Sequence, residues 1–177
     1  MKPNDHSFDV WADADFCGLW DKETAIDDET TAKSRTEYAV MYAGCPIIWA
    51  SQLQTEIAHS VTESEFISLS SALSQTIPLM RLVNKIKKKL SISMTTIPTV
   101  KCKLFEDNSG AVELANVPKM RPRTRHINVK YHHFRKFVND KLITILKVTT
   151  DNQLADILTK NLPEDLFLKF RKAISGW

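Results

Sequence analysis

Residues 8–15 read FDVWADAD. Every second residue of this stretch is apolar, which predicts a β-strand over Phe8–Ala14 with Asp13 close to its carboxyl end. A carboxylate in that position is well placed to line a crevice at the edge of a sheet. We therefore expect the end of this strand, with Asp13, to line one side of a candidate site.

The segments that follow predict a hairpin and a long helix. Two β-rich runs, Thr36–Ala43 and Pro46–Ser51, flank a Gly-Cys pair and are typical of paired strands. In Ser60–Leu90 apolar residues recur at helical spacing, so this range predicts the longest helix. Pro78 lies inside it and is expected to kink or split the helix, because proline lacks the backbone donor that a helix needs.

The second half of the chain predicts, in order, a strand, two helices, a strand and two helices: Val100–Phe105, Ser109–Ala115, His126–Asn139, Leu142–Val148, Thr150–Lys160 and Pro163–Ile174. Thr150 and Gln153 have capping-box spacing at the start of the fifth of these. Three strands in succession, then strands separated by helices, predict an α/β fold with a mixed sheet covered by helices. Residues 1–177 are expected to form a single domain, with 1–7 as a tail and 163–177 as the C-terminal helix.

The composition is that of an ordinary folded domain. The 177 residues are 43% hydrophobic and 25% charged, which excludes a disordered tail, a fibre and a coiled coil. No apolar run approaches the roughly 18 residues of a membrane span, so no membrane partner is expected. The three cysteines form no CxxC pair, which argues against a disulfide framework and predicts a reducing compartment such as the cytoplasm.

Charge is unevenly distributed along the chain. Residues 1–31 hold nine acidic residues, whereas Leu114–Asn139 holds none and carries seven Lys or Arg residues. This asymmetry fits either a polyanionic partner or a solvated surface, and the charge pattern alone favours neither. With a polyanionic partner, three arginines of a Pro-bearing loop would contact phosphates: Arg121, Arg123 and Arg125.

Four acidic residues lie at or near the ends of predicted elements: Asp13, Glu65, Asp107 and Asp156. If they converged, they would repel one another unless cations bridged them, and oxygen-only ligands select hard ions such as Mg²⁺ or Mn²⁺. Two such ions about 4 Å apart form a site that cleaves phosphodiesters. Spacing in sequence does not by itself establish convergence, because any protein of this size has acids at element ends.

Two glutamates compete for the inward position at the start of the long helix. Glu63 and Glu65 lie about 200° apart around a helix, so only one can face the sheet. Glu65 stacks beside the apolar stripe and is predicted to be the inward acid. Its spacing from Thr62 also predicts a capping box at the helix start.

Six stretches occur in the order and roughly the spacing of a known family: ADADF from Ala12, PIIWASQLQ from Pro46, TESEF from Thr62, EDNSGA from Glu106, RHINVKYHHF from Arg125 and QLADILTK from Gln153. Together they resemble the ribonuclease H domain of copia-type (Ty1/copia) retrotransposon polyproteins, over residues from about 8 to 177. Each motif is weak alone, and the ordered set is specific.

The resemblance implies a ribonuclease H-like α/β fold, a five-stranded mixed sheet flanked by helices. It implies an endoribonuclease that hydrolyses the RNA strand of RNA–DNA hybrids with two Mg²⁺ ions, for which Mn²⁺ can substitute. Asn108 and Ser109 would contact the nucleic acid near the RNA 2′-hydroxyl groups. The catalytic metal ligands implied by the motifs are Asp13, Glu65, Asp107 and Asp156.

The implied partners are the hybrid and a reverse-transcriptase domain of the parent polyprotein, with a virus-like particle as the location in an active element. The chain begins with its own Met just before the first strand, which fits a fragment of a decaying element, an excised domain or a domesticated gene. An alternative function is therefore a catalytically idle nucleic-acid-binding remnant of the same fold. An integrase core is disfavoured, because its acids run Asp, Asp, Glu, whereas the order here is Asp, Glu, Asp, Asp.

Two further expectations concern packing. Many members of the family carry glycine where Glu37 stands, a departure that bears on local packing and not on the metal site. Four aromatic residues are expected in the core rather than as base-stacking platforms: Trp11, Trp49, Phe66 and Phe134.

Overall fold

The structure, a computed structural model, describes residues 7–23, 26–90, 99–116, 132–158 and 160–175. Its strands are β1 (Ser7–Asp15), β2 (Arg35–Tyr42), β3 (Cys45–Leu53), β4 (Lys101–Glu106) and β5 (Ile143–Lys147). Its α-helices are α1 (Val61–Leu90), α2 (Ser109–Asn116), α3 (Arg135–Asn139) and α4 (Glu164–Ser175). Short 3₁₀ segments lie at Glu29–Ala32, His132–Phe134, Thr150–Asn152 and Leu154–Leu158.

The described strands form one mixed sheet in the order β3-β2-β1-β4-β5. β1 is antiparallel to β2 and parallel to β4, and β4 is parallel to β5. Parallel pairing brings the carboxyl ends of β1 and β4 to the same edge of the sheet, so acids that follow there become neighbours. The predicted α/β fold with a mixed sheet is confirmed.

The hydrophobic core lies between the sheet and α1. Alternate residues of β1 point to this side and meet fully buried helix residues: Phe8, Val10, Ala12, Phe66, Leu69 and Leu73. Each large side chain buried in this way stabilises the fold by roughly 1.5–3 kcal/mol. Packing against the core therefore fixes which face of α1 meets the sheet, and with it the direction of Glu65.

The opposite face of the sheet meets the C-terminal part of the chain. Ala39 points away from α1, because its neighbours Tyr38 and Val40 belong to the core. Ala39 lines an apolar groove together with residues of the last 3₁₀ segment and of α4: Ile157, Leu158 and Ile174. The last 3₁₀ segment is thus held against β2 and brings its own residues to the sheet edge.

Helix α1 runs without a break through Pro78, so the predicted split does not occur, and the alternative of a kink stays a prediction. Pro78 and Ser74, one turn before it, are both exposed. The carbonyl that loses its partner at a proline is that of the residue four positions earlier, and here it lies on the solvent side. Water can therefore satisfy this group, and the helix continues.

The helix predicted over Thr150–Lys160 is absent; this part of the chain forms two 3₁₀ segments separated by Gln153. The cap before Thr150 is Thr149, whose side chain makes no capping hydrogen bond. Gln153 is fully buried, and its side chain donates to the carbonyl oxygen of Ala12 in β1. This long-range hydrogen bond competes with helix formation, which explains why the capping-box spacing misled.

The four aromatic residues that were expected in the core differ in burial. Phe66 and Phe134 are fully buried, as predicted. Trp11 is half-buried and stacks on Phe105 with ring centroids 4.8 Å apart. Trp49 is 62% exposed, so its prediction as a core residue is wrong: it lies on the edge strand β3 and borders the open groove that Ile174 of α4 also lines.

Of the helix predicted over His126–Asn139, the first six residues lie outside the described ranges. The remainder begins as the 3₁₀ segment and continues as α3. Within the described ranges, each helix is too short or too polar to span a bilayer.

Candidate active site

Three carboxylates meet at the edge of the sheet. One oxygen atom from each of Asp13, Glu65 and Asp107 lies within 4.8 Å of the other two. Asp13 comes from β1, Asp107 follows β4, and Glu65 comes from the first turns of α1. Asp13 is 1% exposed and Glu65 is 5% exposed, so their carboxyl groups are poorly hydrated.

Ser68 attaches α1 to the strands beneath it. Its hydroxyl lies 2.5 Å from the carbonyl oxygen of Asp13 and 2.9 Å from that of Glu37, and it donates to both. Glu37 is the direct partner of Asp13 across β1 and β2. Ser68 lies one helical turn after Glu65, so these hydrogen bonds hold the Glu65 turn above Asp13.

Glu63, unlike Glu65, caps the start of α1. The side-chain oxygen of Ser60 accepts from the backbone N–H of Glu63 at 3.2 Å, and the Glu63 carboxylate accepts from the N–H of His59 at 2.9 Å. These two hydrogen bonds cap the helix through Ser60 and Glu63, so the predicted box of Thr62 and Glu65 is wrong. The carboxylate of Glu65 is consequently available to the site, as the comparison of the two glutamates predicted.

Asp107 is oriented by a residue far along the chain. The hydroxyl of Thr150 donates to Oδ2 of Asp107 at 2.9 Å. The next residue, Asn108, accepts from the N–H of Ala111 at 3.0 Å and thereby caps α2. Ser109 is exposed, and its hydroxyl accepts from Lys147. The two predicted nucleic-acid contacts therefore lie beside Asp107, at the start of α2.

Asp156 reaches the site from the last 3₁₀ segment. It is 2% exposed and is not one of the three clustered carboxylates. It is linked to Asp13 through Lys160, whose ammonium lies 2.8 Å from Oδ2 of Asp13 and 2.9 Å from Oδ1 of Asp156. Gln153 holds this segment to β1 through its 2.8 Å hydrogen bond to the carbonyl oxygen of Ala12.

Burial and mutual repulsion strongly perturb these acids. Burial, followed by the charges of Glu106, Asp13 and Asp107, raises the pKa of Glu65 to about 10. Burial likewise raises the pKa of Asp156 to about 6 and that of Asp13 above its ordinary value, although Lys160 opposes both shifts. Without metal, Glu65 therefore holds a proton at neutral pH.

For Lys160 the neighbouring charges outweigh burial in setting the pKa. Burial lowers its pKa, but the hydrogen bonds and negative charges of Asp13 and Asp156 raise it overall. Lys160 belongs to one of the motifs, yet it was not predicted as a site residue. Its position four residues after Asp156 was the available signal, since that spacing places two side chains on one helical face.

Glu106 is the second residue that the sequence reasoning missed. It is fully buried, and its Oε1 accepts from the N–H of Asn108 at 3.1 Å. Burial raises its pKa well above the ordinary range. The signal was present in β4, where Cys102 and Leu104 alternate into the core and Glu106 is next in that series.

The donor set fits a hard divalent cation. All the clustered side chains offer carboxylate oxygen, which is the ligand type that Mg²⁺ prefers. Oε2 of Glu65 is buried and has no hydrogen-bond partner among the residues described. A buried polar oxygen without a partner is unfavourable, and a bound cation would satisfy it. The predicted Arg121, Arg123 and Arg125 lie outside the described residues.

The chain is similar in sequence to retrotransposon proteins. It is 32% identical over 173 residues to the retrovirus-related Pol polyprotein from transposon RE1 of Arabidopsis thaliana. It is 30% identical over 157 residues to the corresponding polyprotein from transposon TNT 1-94 of Nicotiana tabacum. These matches cover 98% and 89% of this chain, which spans only about a tenth of the length of these curated relatives. No family model matches the chain.

Solved structures show the same fold. The N-terminal RNase H domain of rv2228c from Mycobacterium tuberculosis, solved as a fusion with maltose binding protein, matches with a TM-score of 0.52 at 12% identity. That match covers 92% of this chain and 97% of the other. LC11-RNase H1, isolated from compost, also matches with a TM-score of 0.52 at 12% identity, over 86% and 92% of the two chains.

The structural matches agree with the architecture of the sheet. At such low identity the solved structures establish the fold alone, and the polyproteins supply the sequence relationship. The chain has a ribonuclease H-like fold, and its resemblance to the ribonuclease H domain of copia-type retrotransposon Pol polyproteins is confirmed.

Proposed function

We propose that this chain is a ribonuclease H that hydrolyses the RNA strand of RNA–DNA hybrids with divalent metal ions. The supporting observation is the meeting of Asp13, Glu65 and Asp107, with oxygen atoms within 4.8 Å of one another, on a ribonuclease H-like fold. The solved neighbours are ribonuclease H proteins, and the sequence relatives are Pol polyproteins.

The four acids would divide the binding of metal between two positions. Asp13, Glu65 and Asp107 would hold one ion, and Asp13 with Asp156 would hold the other. When bound, Mg²⁺ or Mn²⁺ ions supply an activated water and stabilise the leaving oxygen of the phosphodiester. The protein keeps the ligands in place through Ser68, Thr150 and Gln153, which fasten Asp13, Asp107 and the Asp156 segment.

The hybrid would lie across the sheet edge, at the start of α2. Asn108 and Ser109 would face the RNA strand near its 2′-hydroxyl groups, which distinguish RNA from DNA. Arg121, Arg123 and Arg125 would contact phosphates without reading sequence. A reverse-transcriptase domain in the same polyprotein would be the natural partner, because the relatives are Pol polyproteins of which this chain spans a tenth.

The test is cleavage of an end-labelled RNA–DNA hybrid with Mg²⁺ or Mn²⁺, with duplex DNA and duplex RNA as substrate controls. The wild type should cut the RNA strand of the hybrid alone, and Asp107→Asn should abolish cutting. Asp140→Asn is the matched control, because Asp140 is exposed and follows α3, outside the carboxylate cluster. This variant should cut like the wild type.

Two results would overturn the proposal. Hybrid that is bound but not cut, at saturating protein and metal, would indicate a nucleic-acid-binding remnant. Cutting that survives in Asp107→Asn would indicate a contaminating nuclease or a different site. A gel-shift measurement on the same samples separates loss of binding from loss of chemistry.

A further inference from the structure

We propose that Lys160 is a built-in counter-ion that occupies the Asp13–Asp156 pair in the metal-free protein and competes with a metal ion for it. This inference deepens the proposed function and rests on its metal site. It concerns how the second metal position is filled rather than which reaction follows.

The geometry of Lys160 is that of a bridging cation. Its ammonium lies 2.8 Å from Oδ2 of Asp13 and 2.9 Å from Oδ1 of Asp156, so one charge serves two acids. Both distances fall in the range of charge-assisted hydrogen bonds. The side chains of Asp13 and Asp156 are almost completely buried, at 1% and 3% exposure. Their charges thus depend on a cation brought into the site.

Lys160 differs from its partners in being reachable from solvent. Its side chain is 37% exposed, so the ammonium enters the site from outside on a flexible stem. It can withdraw without disturbing the hydrophobic core, to which it does not belong. Asp13 and Asp156, by contrast, are fixed by the strand and by the segment that Gln153 holds.

A metal ion bound by both acids would compete with the ammonium for the same two carboxylates. Mg²⁺ binds carboxylate oxygen at about 2.0–2.1 Å and demands near-octahedral geometry, which an ammonium lying between the two carboxylates obstructs. Binding at this position therefore requires Lys160 to leave. An ion held by Asp13, Glu65 and Asp107 meets Lys160 at Asp13 alone, because no lysine contact to Glu65 or Asp107 is found among the described residues. The two positions should consequently differ in affinity.

The experiment is a titration with Mn²⁺ in the absence of nucleic acid, with free ion followed by electron paramagnetic resonance. The wild type should bind one ion tightly and a second more weakly. Lys160→Met should bind the second ion about tenfold tighter, which is the effect of removing a competitor worth about 1.4 kcal/mol. The first ion should change much less.

Lys169→Met is the matched control. Lys169 also fastens this part of the chain, donating to the carbonyl oxygen of Asp151 at 2.7 Å and to Oδ1 of Asn152 at 2.8 Å, but it contacts no acid of the cluster. It should leave both affinities unchanged. Unchanged or weaker binding of the second ion in Lys160→Met would overturn the proposal and leave Lys160 a purely positioning residue.

A double variant protects the test against misfolding. Without Lys160, the paired acids repel each other, so Lys160→Met is expected to melt lower than the wild type in EDTA and to recover when Mn²⁺ is added. Lys160→Met with Asp156→Asn removes that repulsion, should fold without metal, and should bind one ion. A double variant that binds two ions, or a wild type that binds none, would overturn the proposal. Because cleavage is not measured, an inactive but metal-binding protein would refute only the proposed function.

Discussion

The side-chain amide of Gln153 donates a hydrogen bond to the carbonyl oxygen of Ala12 at 2.8 Å, across 141 positions of sequence. This bond joins the segment that carries Asp156 to the strand that carries Asp13. Gln153 is fully buried, so its amide has no access to solvent. Gln153 therefore helps to fix the position of Asp156 relative to Asp13, although this hydrogen bond involves neither carboxylate.

Gln153→Ala should lower the free energy of unfolding by about 1–3 kcal/mol, because a buried carbonyl loses its donor. Cleavage should fall as well, since Asp156 would no longer be held near Asp13. Denaturant unfolding and hybrid cleavage provide the two readouts. Asp151→Ala, an exposed neighbour, is the control and should behave like the wild type. Equal stability of Gln153→Ala and the control would contradict the role assigned to this amide.

Ser68→Ala should lower the free energy of unfolding by about 1–3 kcal/mol, because its buried hydroxyl serves the carbonyl groups of Asp13 and Glu37. Ser74→Ala on the same helix is the matched control, since Ser74 is exposed and bonds only within the helix, to the carbonyl oxygen of Ser71. Thermal melts of the two variants should differ clearly. If both melt alike, Ser68 does not attach α1 to the strands.

Thr150→Val should reduce cleavage by roughly tenfold, the scale at which groups that orient metal ligands act. Its hydroxyl donates to Oδ2 of Asp107 on an exposed surface, so the melting temperature should hardly change. Thr144→Val, at an exposed position of β5, is the control. Full cleavage by Thr150→Val would mean that Asp107 needs no such partner once metal and hybrid are bound.

Glu65→Gln should flatten the pH dependence of stability in EDTA. Burial and then the neighbouring acids raise the pKa of Glu65 from 4.5 to about 10, so the folded protein holds a proton that the unfolded chain releases. The free energy of unfolding should therefore fall as pH rises between about 5 and 10, by at most about 1.4 kcal/mol per pH unit. Urea unfolding at several pH values measures the slope.

The control for that slope is Glu164→Gln, at an exposed position in the first turn of α4. It should keep the wild-type slope. Adding Mg²⁺ at pH 8 should stabilise the wild type more than Glu65→Gln, because a bound cation favours the charged carboxylate. Identical slopes in EDTA for the two variants would rule out the proton held at Glu65.

Glu106→Gln should retain metal binding within a few-fold, whereas Asp107→Asn should lose it. Glu106 is buried beneath the cluster, and Oε1 accepts from the N–H of Asn108, an interaction that an amide oxygen can also make. Burial raises the pKa of Glu106, so the neutral amide resembles its metal-free state. Calorimetric titration with Mg²⁺ distinguishes the two variants. Loss of binding in Glu106→Gln would make Glu106 a ligand.

The alternation of apolar residues and the order of the motifs predicted most of the fold. The apolar alternation before Asp13 and the helical spacing around Glu65 predicted the elements that hold these acids, because both periods follow directly from backbone geometry. The choice of Glu65 over Glu63 followed from the same geometry. The structure assigns Glu63 to the helix cap.

The errors fall where long-range contacts override local pattern. Thr150 and Gln153 have the spacing of a helix cap, but their side chains bond to Asp107 and to the carbonyl oxygen of Ala12 instead. Trp49 is a large apolar residue of the kind found in cores, but it lies on an edge strand and borders an open groove. The partners of Thr150 and Gln153 lie far away in sequence, so a local pattern cannot reveal them.

The sequence by itself determined the order of the strands and of every predicted helix except that over Thr150–Lys160, the four candidate acids and the relationship to retrotransposon polyproteins. Only the tertiary structure decided which charges meet: that Lys160 bridges Asp13 and Asp156, and that Glu106 lies buried beneath the cluster. The physical reason is the distance along the chain over which each interaction acts. Secondary structure follows from periods of two and 3.6 residues, whereas the balance of buried charge depends on side chains brought together from distant parts of the chain.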